Sequence, residues 1–522
     1  MSALENTVWL GLIATLIAVF VRSRGWSVAL PLLGCGALVG MLPWGPSATE
    51  EPELIGVLVL APLVFGEALS SSYVDIKSVR RPVLALAIGL VIISTVAIGG
   101  LTAVLISGIP LALALALGAI LAPTDLVVVA SSARRARLPP RLVTILEGES
   151  LLNDGTGLTA LRVAIMASVA GTVTAGEAAV LLAQTVAVGT ALGLLGGSLL
   201  VLLLRKGGDP IGHGAILLVA PLPLYVTTEA AGGSGILALV LAGLMAAHAA
   251  YGDPDYQGRL EVTSLWRQIT SVMQAIAFFF LGTELPALLV ELPASQRNTL
   301  WWAVPVIVIG LIAVRMAVIL GGFGLARLAG LDSPAGWRGA ALIGWAGARG
   351  PVSALAAFSL PLLTVDGAPL AYRDMVIAAA LMAIALTLLI STTLVPVARL
   401  LKVQSAGSEA VQRRLRRSMA EAALNTLEAA NREAAARGEP LPGHIVAALR
   451  AATDHRIGLM RRQTAAQRDQ KRVRALQIAM LEAEQEELVR LRSEEALPET
   501  AVRPLLAELD RRIALIRGTG EE

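Results

Sequence analysis

Apolar residues run along most of this chain in long blocks separated by short polar connections. A helix needs about 20 mostly apolar residues to cross ~30 Å of hydrocarbon. Thirteen such runs occur, near 7–21, 26–42, 53–70, 82–107, 110–132, 142–170, 177–204, 213–229, 234–250, 268–286, 300–322, 338–360 and 374–400. The connections alternate in charge. Odd-numbered loops carry Arg22 and Arg24; Lys77, Arg80 and Arg81; Arg134, Arg135, Arg137 and Arg141; Arg205 and Lys206; Arg259 and Arg267; and Arg327 and Arg338. Even-numbered loops hold only Arg297 and Arg373, and the second contains Glu50, Glu51 and Glu53. Because Lys and Arg concentrate on the cytoplasmic side, the pattern predicts an external N-terminus and a cytoplasmic C-terminus. In the opening "MSALENTVWLGLIATLIAVFVRSRG" the basic residues follow the apolar run, so it is read as a retained first span.

Beyond "LLKVQ" the pattern changes. Residues 404–522 are rich in Ala, Arg, Glu and Leu, with opposite charges at helical neighbour spacing. The division expected is a transmembrane unit over 1–403 and a cytoplasmic α-helical tail over 404–522, broken near "GEPLPG" and "LPET" into about three pieces. No nucleotide fingerprint, metal motif or output module is legible in the tail, and it is read as a solvated helical segment that aids folding or dimer contacts.

Composition agrees with this picture: 55% of residues are hydrophobic and only 16% charged, and the mean hydropathy is +0.71. A soluble domain carries about a quarter charged residues. The net charge of +3 gives no argument for nucleic acid. Cys35 is the sole cysteine, which excludes an intrachain disulfide and a thiolate metal cluster.

Ionisable residues inside spans are expensive and mark candidate function. They are Glu67, Asp125, Glu149, Asp154, Arg162, Glu229, Glu284, Arg315 and Arg349. Two spans are also interrupted by backbone chemistry. Span 5 reads "LGAILAPTDLVVVASS", where Pro123 cannot donate a helical hydrogen bond. Span 12 reads "LIGWAGARGPVSALAA", with Gly344, Gly347, Gly350 and Pro351 close together. Unwound backbone at membrane depth is tolerated only beside protein or a watery cavity, and paired broken helices point to a transporter's midplane site. Spans 5 and 12 lie an odd number apart, so matching repeats would have inverted topology. The helix ends freed at such a crossing need compensating charge, which Asp125 and Arg349 are placed to supply.

In span 6, "GESLLNDG", the residues Ser150, Asn153, Asp154 and Gly157 share one helical face, with Glu149 on an adjacent strip. That face offers oxygen ligands and one carboxylate, which suits a hard monovalent cation. A partly desolvated carboxylate can be poised between proton and cation, and if both compete for the same oxygens the outcome is antiport.

Six stretches, in order, carry a resemblance to a known family. They are "APLVFGEALSSSYVDIKSVRRP", "LAPTDLVVVA", "EGESLLNDGTGLTALR", "EAAGGSGILALVLAGL", "FFFLGTEL" and "GARGPVSALA". Residues 1–400 resemble the monovalent cation:proton antiporter-1 family, the NhaP and NHE type of Na⁺/H⁺ exchanger. The resemblance implies an all-α polytopic fold of about thirteen transmembrane helices, with inverted repeats, crossed discontinuous spans 5 and 12, and a six-helix core moving like an elevator. It implies a homodimer in the cell membrane, surrounded by lipid, exchanging Na⁺ (with K⁺ and Li⁺ as alternatives) for H⁺, with no enzymatic activity and no cofactor. By motif, Asp154 resembles the cation- and proton-binding carboxylate, with Asp125, the Thr124 carbonyl, Ser150 and Glu67 completing the Na⁺ surroundings. Asn153 stands where electrogenic relatives have a second Asp, which implies electroneutral exchange. Arg349 resembles the core arginine, paired with Glu149, while Arg162 and Arg315 read as structural counter-charges. The family usually has Pro directly after the Thr-Asp pair; here Leu126 follows and Pro123 precedes, so the unwinding is expected to shift by a few residues. A different inverted-repeat transporter, such as an organic-anion symporter, is the rival class, and a sensor that signals through its tail is a third.

Overall fold

The computed structural model describes residues 3–403 except 25, 43–51, 137, 171–174, 207–209, 252–255, 329, 331–335 and 365–366, and beyond 403 it describes 408–437, 442–450 without 445 and 448, 477–484, 509 and 512. Glu50, Glu51, Arg137, the "LPET" turn and most of "GEPLPG" therefore lie outside the described residues. The chain divides into two compact units, Met1–Ser405 and Ala406–Glu522.

The first unit is helical throughout its described regular structure, apart from an isolated antiparallel bridge between Leu363 and Pro369. Helices α1 (Ala3–Ser23), α2 (Ala29–Gly40) and α3 (Pro52–Ser70) are followed by short α4 (Tyr73–Ser78). Next, α5 (Arg80–Leu84) runs through a π-helical turn, Ala85–Leu90, into α6 (Val91–Leu105). The first interrupted span is α7 (Leu111–Leu121) and α8 (Leu126–Arg135), and α9 (Pro140–Ala170) carries the "GESLLND" stretch. Then come α10 (Ala175–Lys206), α11 (Pro210–Val219), α12 (Pro221–Ala230), α13 (Gly235–Tyr251), α14 (Tyr256–Glu291) and α15 (Ala294–Leu328). The second interrupted span is α16 (Gly336–Trp345) and α17 (Pro351–Ala357), and α18 (Arg373–Ser391) and α19 (Leu394–Leu400) close the unit. The run near 213–229 is also two helices, because Pro221 opens α12 at its first turn.

Among the described residues, six helical stretches are long and apolar enough to cross a membrane, and four shorter apolar helices accompany them. Helix length and apolarity by themselves account for a multi-pass unit rather than for the full thirteen runs.

Polarity is distributed as lipid demands. Leu195 is 70% exposed on α10 and Ile309 66% on α15, whereas Glu67, Asp125, Glu149, Asp154, Glu284, Arg315 and Arg349 are all buried. Apolar side chains face outward because the surrounding solvent is hydrocarbon, and the charges turn inward toward partners. Helix packing relies on small residues. A Cβ on Gly36 would lie 2.2 Å from the Phe279 carbonyl oxygen, and one on Gly282 2.3 Å from that of Leu33. The α2 and α14 backbones thus touch, as small residues permit in membrane helices.

The second unit contains α20 (Ser408–Ala436), a polar helix with the exposed pairs Arg437–Glu433 and Arg450–Glu428. Exposed pairs of this kind add at most about 1 kcal/mol each.

Candidate functional site

The two interrupted helices meet at their breaks. Pro123 leaves 122–125 outside the helix between α7 and α8, and 346–350 separates α16 from α17. The Asp125 N–H donates to the Ala348 carbonyl at 2.9 Å, which ties one break to the other. A Cβ on Gly350 would lie 1.8 Å from Asp125 Oδ2, so only glycine admits this approach. On the other side, a Cβ on Gly157 would meet Pro123 Cγ at 2.2 Å, so α9 lies directly against the first break. The chain resumes its helix at Leu126, and no backbone N–H is found on the Thr124 carbonyl among the described residues.

Asp125 Oδ1 accepts a 2.6 Å hydrogen bond from the Val128 N–H, which makes Asp125 the N-cap of α8. Its negative charge also suits the positive end of that half-helix. Asn can cap as well as Asp, whereas Ala cannot. Asp125→Asn is therefore expected to melt close to the wild type in detergent, with Asp125→Ala losing about 0.5–2 kcal/mol more. Equal losses would show that the charge, not the cap, holds the turn.

The face of α9 presents a connected polar network. Asn153 Nδ2 donates to Thr124 Oγ1 at 2.9 Å, and Thr124 Oγ1 and Ser150 Oγ share a 2.9 Å hydrogen bond. A longer contact, 3.5 Å, runs from Thr124 Oγ1 to Glu149 Oε1. Thr124, Ser150 and Asn153 are buried, and Asn153 Oδ1 finds no hydrogen-bond partner.

Glu149 corrects one expectation. Its carboxylate is held by Arg315, not by Arg349: Arg315 Nη2 donates to Oε2 at 2.9 Å, and Nη1 donates to Oε1. The pair is bidentate and almost wholly buried, at 2% and 1% exposure. Arg315 also donates from Nε to the Ile343 carbonyl at 3.3 Å and from Nη2 to that of Ala346 at 3.4 Å. Those carbonyls close the C-terminal end of α16, so the charge compensating that half-helix comes from α15. Arg349, within the break, donates its N–H to Thr387 Oγ1 at 3.3 Å, while its buried Nε and Nη1 have no hydrogen-bond partner.

Asp154 differs from Asp125 and Glu149. It is 7% exposed, and its carboxylate makes no hydrogen bond or ion pair among the described residues. It borders a small cavity reaching past Gly157 toward Ser353. Glu67 on α3 is 5% exposed, has an unpartnered Oε1, and lies within electrostatic reach of Asp125 and Asp154. No cluster of three or more His, Cys, Asp or Glu suited to a resident metal ion occurs among the described residues. What gathers here is the open carboxylate of Asp154, with Glu67 and Asp125 within electrostatic reach and neutral oxygens nearby.

The remaining span charges stand apart from this cluster. Arg162 pairs with Glu229 and donates to the Gly233 carbonyl at 3.0 Å, while Glu229 Oε1 accepts from the Gly235 N–H at 2.8 Å. This clasp holds α9 to the turn before α13. Glu284 is buried in α14 and makes none of the contacts above.

Three participants escaped the sequence reading: Arg315 as the partner of Glu149, Thr387 on the Arg349 amide, and Ser353 on the cavity. Only Arg315 left a usable signal, since it is the one charge within span 11 and needed a buried acid of opposite sign.

A multi-pass membrane unit with two interrupted helices crossing beside a buried, unpaired carboxylate is the architecture of a secondary transporter. Residues 10–400 match the family described as "Sodium/hydrogen exchanger, transmembrane", and the chain belongs to that family of monovalent cation:proton antiporters. It is 32% identical over 394 residues to the "Sodium, potassium, lithium and rubidium/H(+) antiporter" of Bacillus subtilis (strain 168), covering 71% of this chain and 58% of the relative. The chain thus spans less than two thirds of that relative's length. It is 28% identical over 535 residues to the "Uncharacterized Na(+)/H(+) exchanger YjcE" of Escherichia coli (strain K12), covering 97% of each. The solved sodium proton antiporter MjNhaP1 from Methanocaldococcus jannaschii at pH 8 superposes with a TM-score of 0.64 at 20% identity, over 76% of this chain and 98% of that one. At that identity the likeness speaks for the fold.

Proposed function

We propose that this protein exchanges Na⁺ for H⁺ across the cell membrane, with K⁺ or Li⁺ as alternative substrates, by competition of cation and proton at Asp154. The observation that carries this reading is the buried Asp154 carboxylate without a protein partner among the described residues. An unpaired buried charge costs several kcal/mol, and either a proton or a cation relieves that cost. The two occupants therefore exclude one another. Ser150, Thr124 through its free carbonyl, Asp125, Asn153 and Glu67 supply the oxygens around the ion. Arg349 and the Arg315–Glu149 pair keep the crossing electrically balanced. Oxygen ligands of this kind suit any of these hard monovalent cations.

In the same reading, thirteen helices cross the membrane, with the N-terminus outside and the segment after 403 in the cytoplasm. Two copies assemble, and the core carrying the crossing moves as an elevator. One carboxylate with Asn153 beside it, rather than two acids, makes exchange electroneutral. In everted vesicles or proteoliposomes with an imposed pH gradient, added Na⁺, K⁺ or Li⁺ is expected to drive proton movement that leaves the membrane potential unchanged. No response to any of these cations between about pH 6 and 9, a window around the usual titration range of poised carboxylates, would remove the antiport reading. A potential that grows with turnover would remove electroneutrality alone.

A further inference from the structure

We propose that Ser353 is a specificity-determining residue of the cation site, acting from the cavity on the far side of Asp154. This deepens the exchange reading and rests on it. On α9 the cavity touches Asp154, Gly157, Leu158 and Leu161, C-terminal to Ser150 and Asn153, and Pro123 closes it beside Thr124. Its wall includes Ala119 and Ile120 of α7, Leu158 and Leu161 of α9, and Val352 of α17. Within this apolar wall the only polar side chains are Asp154 and Ser353.

Ser353 is 5% exposed, and its hydroxyl makes no hydrogen bond among the described residues. A buried hydroxyl without a partner is costly, and helical serines ordinarily return theirs to a carbonyl one turn back. Here it is left for something in the cavity. The space holds one water molecule at most, and a buried water needs at least two polar partners. The Asp154 carboxylate and the Ser353 hydroxyl are those two.

The cation at Asp154 is therefore served by protein oxygens on one side and by a single water, held by Ser353, on the other. A small cation drawn toward the Ser150 side keeps this water as a ligand. A larger cation reaches into the cavity itself and displaces it. Ser353 thus favours Li⁺ and Na⁺ over K⁺ and Rb⁺.

The test compares half-saturating concentrations of the four chlorides, read both as cation-driven proton movement and as cation-dependent thermal stabilisation of the purified protein. Removing one hydrogen-bond partner in Ser353→Ala should lower the K⁺-to-Na⁺ ratio of half-saturating concentrations by roughly two- to tenfold. Ser353→Thr, which keeps the hydroxyl, should restore most of the ratio. Ser353→Cys, which keeps the size of the side chain but is a weak hydrogen-bond partner, should lower the ratio in the same direction, which decides the matter if Ser353→Ala does not fold. Equal weakening for all four cations, or an unchanged ratio, in a folded variant overturns the proposal while leaving exchange intact. A wild-type protein with neither exchange nor cation-dependent stabilisation overturns both readings.

Discussion

Asp154→Asn is expected to reduce cation-driven proton movement to the level of vesicles lacking the protein, while the variant still inserts and purifies as a folded species. The amide has nearly the shape of the acid, so the packing of α9 at Gly157 against Pro123 has no reason to change. What disappears is the charge. A neutral amide can neither take up and release a proton nor match a cation in a site of low dielectric. Because no protein group pairs with Asp154 among the described residues, the substitution leaves no orphaned partner, and the melting temperature should hold or rise. That combination of lost transport and retained stability distinguishes an ion-binding carboxylate from one kept for folding. Retained exchange in Asp154→Asn would move the mechanism elsewhere, and Glu67 would become the first carboxylate to examine.

Arg315→Met should have the opposite signature, a large loss of stability. Arg315 serves the Glu149 carboxylate with two nitrogens and the Ile343 and Ala346 carbonyls besides, all in a site almost without solvent. Its removal leaves a buried carboxylate uncompensated, which costs about 3–5 kcal/mol. Adding Glu149→Gln removes the stranded charge, so the double variant should recover part of the loss. A double-mutant cycle read by thermal melting in detergent isolates this coupling. If the two single losses simply added, the pair would not be the brace it appears in the geometry, and Arg349 would have to take up the acid after all.

These two residues show how far the one-dimensional pattern reached. Asp154 was legible because a carboxylate inside an apolar run is anomalous wherever its helix packs. The two interruptions were legible for the same kind of reason, since Pro123 and the Gly347–Gly350–Pro351 group act on their own backbone. The partner of Glu149 was not legible. Arg315 and Arg349 are both lone arginines in apolar surroundings, and the choice between them turns on which guanidinium reaches across from α15 or α16–α17. Ser353 was invisible for a different reason: a serine after a helix break is unremarkable until the wall around it proves apolar.

Sequence alone thus determined the membrane class, the places where helices break, and the buried acid beside the first of them, because lipid penalises every polar group locally and at once. The tertiary structure decided who meets whom. It joined the Asp125 amide to the Ala348 carbonyl, gave Glu149 to Arg315, left Asp154 open and set Ser353 across from it. Such pairings depend on helix rotation and crossing within a few ångströms, which arise from close packing of residues far apart in the chain.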